Sequence, residues 1–209
     1  MEQQFQYYAF ISYKREDEKW AKWLQDRLRW YKLPSKLCRQ ITRLPKKVWP
    51  VFRDNTDLDS GRLEENIRHE LERSHYLIVI CSPEAARSPW VGKEVKYFAT
   101  LHGADKIIPF VVSGIPYSND IETECIHEQI KAISQEELLA INVREEGIGS
   151  FAMKKKRAFI RVVARLLDIK FNTLWQPYER ILRIRKWSTG IGVVLFLFVL
   201  FILWDYYRT

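Results

Sequence analysis

The sequence predicts an α/β protein: an open sheet of about five parallel strands with helices on both faces, followed by an apolar C-terminal helix. Three observations carry this. Short, continuously apolar runs (YYAFIS, YLIVIC, KIIPFVV) read as strands buried on both faces. Stretches with helical periodicity alternate with them. Residues 188–203, STGIGVVLFLFVLFIL, hold no charge, and all the charge sits in the rest of the chain.

The first strand is Tyr7–Ser12, and from Asp17 onward Trp20, Trp23, Leu24, Leu28 and Tyr31 recur at helical spacing. Residues 32–47, rich in Lys, Arg and Pro, form a basic connection. Val48–Phe52 makes a second strand, with Pro50 confined to its edge. The run Arg53–Gly61 is dense in turn formers, and Leu63, Ile67 and Leu71 then give an amphipathic helix that stops near Ser74. Tyr76–Cys81 is the third strand. Ser82-Pro83 and Ser88-Pro89 each pair an N-cap serine with proline at the first helical position, and the second opens a helix through Trp90, Glu94, Tyr97 and Phe98. Lys106–Val112 is the fourth strand, 121–133 a helix, 138–143 a weak fifth strand and Phe151–Leu167 a strong amphipathic helix.

Composition narrows the function. With 47% hydrophobic and 29% charged residues the chain builds a real core, and 8 Gly and 8 Pro exclude collagen-like or linker-dominated architecture. The net charge of +8, from 34 Lys+Arg against 26 Asp+Glu, points to an acidic partner: nucleotide, nucleic acid or anionic lipid. Three scattered cysteines without CxxC spacing read as reduced thiols and support neither a disulfide framework nor zinc; no metal site is expected. No HExxH, GxGxxG or GxxxxGK[ST] occurs, which argues against zincin, dinucleotide-fold and P-loop chemistry. No nucleic-acid-binding motif occurs either, so no nucleic-acid partner is expected. The N-terminus lacks the basic and apolar regions of a signal peptide.

In open parallel sheets, ligands bind outside the carboxyl ends of the strands. That places Ser12–Asp17, Arg53–Gly61 and Ser82–Glu94 around one crevice. These segments resemble the Toll/interleukin-1 receptor (TIR) family. Phe10-Ile11-Ser12-Tyr13 with Asp17 is similar to the family's opening strand and turn. Val51-Phe52-Arg53-Asp54 with Leu58 and Gly61 is similar to its second strand and BB loop, and Ser88-Pro89-Trp90-Val91-Gly92-Lys93-Glu94 to its Ser-x-Trp and Trp-x-x-x-Glu segments. The resemblance runs over roughly residues 5–170, is closest in wording to bacterial members, and implies the flavodoxin-like TIR fold.

The resemblance also implies an activity: cleavage of the nicotinamide–ribose bond of NAD, taken as substrate with no cofactor, with Glu94 as the catalytic carboxylate. The chemistry is consistent. Nicotinamide leaves as a neutral base, so a general acid is not required, and one carboxylate suffices to stabilise an oxocarbenium-like ribose. Trp90 and Glu94 lie four apart, on one helical face near the helix start, where the dipole favours an ionised carboxylate. The competing reading is a core tryptophan beside a solvated glutamate paired with Lys93 or Lys96. Lys14, Arg15 and Arg53 border the crevice as candidate phosphate-binding cations or as solvated charges. Ser12 and Tyr13 belong to the expected substrate-binding set with Phe10 and Trp90; Tyr13 and Phe10 offer rings for stacking, although Phe10 equally reads as core. Asp17 reads as a helix N-cap before a catalytic acid, and His75 as a hydrogen-bonded core residue. Self-assembly through Arg53, Asp54, Leu58 and Gly61 is implied, with Leu58 as an apolar tip.

From Ile191 to Leu203 nearly every residue is Leu, Ile, Val or Phe, favouring membrane insertion by about 4–7 kcal/mol. Residues 187–204 span about 27 Å as a helix, close to a ~30 Å hydrocarbon core. Trp187, Trp204, Tyr206 and Tyr207 form aromatic belts, and Arg180, Arg183, Arg185 and Lys186 precede the span. The expected organisation is therefore a cytoplasmic TIR domain over 1–170, a basic juxtamembrane linker over 171–186, a transmembrane helix over 187–204 and a short non-cytoplasmic tail over 205–209. Placement is a single pass in the bacterial inner membrane. Lys154-Lys155-Lys156-Arg157 reads either as a solvated helix end or as added attraction to anionic lipid. By resemblance the setting is antiphage immunity, with a phage trigger and a separate effector as further partners. The alternative function is a non-catalytic scaffold that recruits proteins through the BB loop.

Overall fold

The computed structural model describes residues 5–41, 44–53, 61–133, 140–144, 149–176, 204 and 208, with the backbone only of residues 36 and 61–64. The chain divides into two compact units, Met1–Asp168 and Ile169–Thr209. In the second unit the rings of Phe171 and Trp175 stack at 5.5 Å, and the Arg208 guanidinium lies 4.9 Å from the Trp204 ring centroid.

Among the described residues the first unit holds a five-stranded parallel sheet in the order β2-β1-β3-β4-β5. Its strands are β1 (Tyr7–Ser12), β2 (Val51–Arg53), β3 (Ser74–Cys81), β4 (Ile107–Val111) and β5 (Ile141–Asn142). The helices are α1 (Glu18–Trp30), α2 (Ser35–Gln40), α3 (Gly61–Glu72), α4 (Pro83–Ala86), α5 (Pro89–His102), α6 (Glu128–Ile133) and α7 (Phe151–Leu166).

Period-two alternation sorts the strand side chains between the two helical layers. Phe10, Leu77, Val79, Cys81 and Val111 join Ile67, Leu71, Val91, Val95, Phe98 and Ile130 in one core beneath α3, α5 and α6. On the other face Trp23 of α1 stacks on Phe110 at 6.4 Å and meets Phe159 of α7 edge-on at 6.3 Å. Because Phe10 faces the α3–α5 layer, Ser12, two residues further on, emerges from the carboxyl end of β1 toward the same layer. That register positions the site.

Several elements differ from expectation. The second strand begins at Val51; Pro50 before it has no N–H to donate, and its carbonyl accepts the Tyr8 N–H of β1 at 2.8 Å, at the end of the ladder. Part of the basic connection is helical, as α2. The predicted helix over 121–133 survives only as α6. Before it, Ser118, Asp120 and Glu124 side chains take the backbone N–H groups of Asp120, Glu122, Tyr117 and Ile126, holding that stretch in turns. The fifth strand is the short β5, and residues 138 and 139 of the expected run lie outside the described residues. Among the described residues no helix is long and apolar enough to cross a membrane. Residues 187–203 of the expected span lie outside them.

Candidate active site

α5 starts where Ser88 and Pro89 direct it. The Ser88 Oγ accepts the Val91 N–H at 3.5 Å, and Pro89 supplies a preset φ at the first helical position. Trp90 and Glu94, one turn apart, then share a face. Glu94 is only 4% exposed, and its Oε2 accepts the Ser12 hydroxyl at 2.5 Å. A carboxylate taken out of water is costly, and the bond from β1 returns part of that cost while fixing the carboxylate's direction. The expected dipole assistance is weak, because Glu94 lies in the second turn of α5 and the effect fades beyond the first.

A cavity of about 310 Å³ opens between α3 and α5. Ile67 and Leu71 form its apolar floor, while Trp90 and Glu94 reach it from α5 and Arg68 from α3. Cations sit over its rings: Lys93 Nζ lies 5.7 Å from the Trp90 centroid, and the Arg68 guanidinium 5.4 Å from that of Tyr97. The Tyr97 hydroxyl donates to Glu72 at 2.5 Å, and that bond raises its pKa above the ordinary value.

A second buried pair stands on the same carboxyl edge. The Ser82 hydroxyl donates to Asp17 Oδ2, and its oxygen accepts the Ala85 N–H at 3.0 Å. One serine therefore caps α4 and ties it to the start of α1. Burial holds the Asp17 carboxyl above the usual range, opposed by the Ser82 bond. Asp17 occupies the N-cap position of α1 but makes no capping bond; its carboxylate is turned to Ser82 instead.

The TIR domain family model matches residues 9–146. This chain belongs to the TIR-domain family. It is 36% identical over 110 residues to the NAD(+) hydrolase ApTIR of Actinoplanes sp., an alignment covering 52% of this chain and 14% of that protein. The chain thus spans a small part of that relative's length. Among solved structures it is similar to the TIR domains of the activated Roq1 resistosome directly recognizing the pathogen effector XopQ. There the TM-score is 0.48 and the identity 14%, covering 74% of this chain and 98% of that one.

The TIR domain brings Ser12, Trp90 and Glu94 together, and the burial of Glu94 removes the solvated-glutamate reading. Phe10 is fully buried and stacks on Phe52 at 5.2 Å, so its ring is part of the core and not a surface for a ligand. Arg53 faces inward: its Nε donates to Gln25 at 3.1 Å, and its Nη1 to the Tyr13 hydroxyl at 3.1 Å and Glu18 at 3.4 Å. Tyr13 is half-buried beneath that guanidinium, Lys14 half-buried and Arg15 exposed. Gly61 opens α3; Asp54 and Leu58 of the expected assembly loop lie outside the described residues. The His75 ring stacks on Phe5 at 4.8 Å; the expected hydrogen bond to it is not seen among the described residues, and burial lowers its pKa.

His127, outside the expected set of site residues, packs against the start of α5. Its Nε2 donates to the Ser88 carbonyl at 3.1 Å and its Nδ1 accepts the Gln129 N–H at 3.0 Å, a neutral ring with both nitrogens used. A Cβ on Gly92 would fall 2.5 Å from its Cε1, so the ring rests in space that only glycine leaves open. The readable signal was a glycine inside a helical pattern, which marks close approach.

Proposed function

We propose that this TIR domain cleaves the nicotinamide–ribose bond of NAD once assembled, depleting NAD or releasing an ADP-ribose-type signal. The observation that carries the reading is Glu94, buried at the carboxyl edge of the sheet, oriented by Ser12 and lining a cavity with Trp90. The similarity to an NAD(+) hydrolase supports it.

The chemistry asks little more of the chain. Nicotinamide departs as a neutral base, so the barrier falls mainly through stabilising positive charge on the ribose. A fixed carboxylate provides that stabilisation without reorganising, and Trp90 offers a flat apolar surface beside it. Residues 187–204 anchor the chain in the bacterial inner membrane with the TIR domain on the cytoplasmic side, on the strength of the uncharged stretch and the Arg/Lys residues before it. Its role is in antiphage defence, with the trigger driving self-association of TIR domains.

Incubating the clustered protein with NAD and following free nicotinamide tests the reading. Release is expected from the wild type, with a loss of at least about 100-fold in Glu94→Ala, the scale for removing one transition-state electrostatic group. Undiminished release by Glu94→Ala sinks the mechanism. Absence of release from clustered wild type favours the scaffold reading.

A further inference from the structure

On the face of the TIR domain built by α1 and α7, the chemistry differs from that of the Glu94 cavity. Ala21, Leu24 and Leu28 are the buried side of α1, and Trp20, Trp23, Arg27 and Trp30 run beside them at helical spacing. Lys155 of α7 reaches into this stripe: its Nζ lies 4.3 Å from the Trp20 centroid and 4.2 Å from that of Trp23. Burial and the nearby Arg27 charge press the Lys155 ammonium below its ordinary pKa. Among the described residues neither Arg27 nor Lys155 has an ion-pair partner; of the neighbouring α1 carboxylates, Glu18 pairs with Arg53 and Asp26 stands exposed. One cation is thus held over two aromatic rings, with a second close enough to be felt and no ion-pair partner for either among the described residues.

Exposed rings flank this pair. Trp30 is 75% exposed, with the Arg29 guanidinium 5.5 Å from its centroid, and Phe151 is 54% exposed beside Trp20. Lys19 and Lys22 are exposed on the same helix. Large apolar rings standing clear of a cationic surface match the headgroup zone of a bilayer, where aromatics settle at the interface and Lys/Arg meet phosphates. A nucleic-acid platform would instead present open ring faces for base stacking. The Trp20 and Trp23 faces are already taken by Lys155.

We propose that the α1–α7 face docks on the anionic surface of a lipid bilayer, with Arg27 and Lys155 at headgroup phosphates and Trp30 and Phe151 in the interfacial zone. The uncharged stretch at 188–203 is a separate membrane signal in the same chain. An anchor alone leaves a domain free to reorient, whereas a second, electrostatic contact fixes which face meets the membrane.

The test uses the whole 209-residue chain in nanodiscs of phosphatidylcholine alone or with phosphatidylglycerol, with amine labelling read residue by residue by mass spectrometry. In the anionic discs, labelling of Lys19, Lys22 and Lys155 is expected to slow several-fold, while Lys96 on α5 is unchanged. High salt, Arg27→Glu and Trp30→Ala are each expected to restore the faster rate; Trp30→Ala removes an exposed ring and spares the core. Equal rates in the two lipids overturn the proposal. So does slowing by a short RNA in phosphatidylcholine discs without slowing by phosphatidylglycerol, which would make this a nucleic-acid face.

Discussion

At the scale of single residues, the contact between Ser12 and Glu94 joins positions 82 apart in sequence and decides the character of the site. Ser12 entered the expected set as a substrate contact, and its geometry assigns it to Glu94. The two roles separate kinetically. A hydroxyl that orients a carboxylate is worth about 1.5–3 kcal/mol, so Ser12→Ala is expected to lower kcat for nicotinamide release about 10–100-fold with KM little changed. A raised KM at constant kcat would return Ser12 to substrate binding. Alternation along YYAFIS made the facing of Ser12 toward the Phe10 layer readable. The partner was beyond reach, because a sequence pattern gives the face of a strand and not which helix residue meets it. Phe10 had two readings for the same reason: a strand aromatic buried between layers and one stacked on a ligand share one local pattern.

At the scale of elements, the helix starts were the most legible features. Ser82-Pro83 and Ser88-Pro89 announce α4 and α5 because both cap chemistry and proline's fixed φ act locally. The stretch 121–127 departs from the predicted helix because its turn-forming side chains outcompete helical bonds, a contest decided by hydrogen-bond partners that periodicity does not register. The docking of α6 against α5 depends on an absence, the missing Cβ of Gly92. An alanine there gains about 0.5–1 kcal/mol of helical preference. It also drives the His127 ring off two hydrogen bonds, and overpacking of this kind costs about 1–3 kcal/mol. Gly92→Ala is therefore expected to be net destabilising, read as a lower denaturation midpoint, and Gly92→Ala/His127→Ala to recover part of the loss. A stabilised Gly92→Ala protein would show that the ring moves aside freely.

For the whole molecule, parallel α/β architecture followed from the alternation of apolar strands and helices, whereas the order β2-β1-β3-β4-β5 is a matter of long-range pairing. A mean hydropathy of −0.29 hid the uncharged stretch by averaging it with a highly charged domain. The folded domain also carries a pH dependence that composition does not reveal. His75, His102 and His127 are each half-buried, and burial lowers each pKa from the ordinary 6.5. The backbone of Leu71 and Glu72 near His102, and the bond from His127 to the Ser88 carbonyl, oppose this without reversing it. Below 6.5 the unfolded chain takes up protons that the folded domain refuses, so their contribution to stability is complete above that pH and is lost as pH falls through the lowered values. Asp17 has the opposite sign: its raised pKa lets the folded state bind a proton first, a gain confined to lower pH as the carboxyl titrates toward its ordinary 3.8. The thermal midpoint is therefore expected to fall between about pH 7 and about pH 5, driven by the histidines, and His127→Gln is expected to flatten that slope. A midpoint that rises on acidification across that window would mean that Asp17 outweighs the histidines and that their burial is not what sets the acid limb.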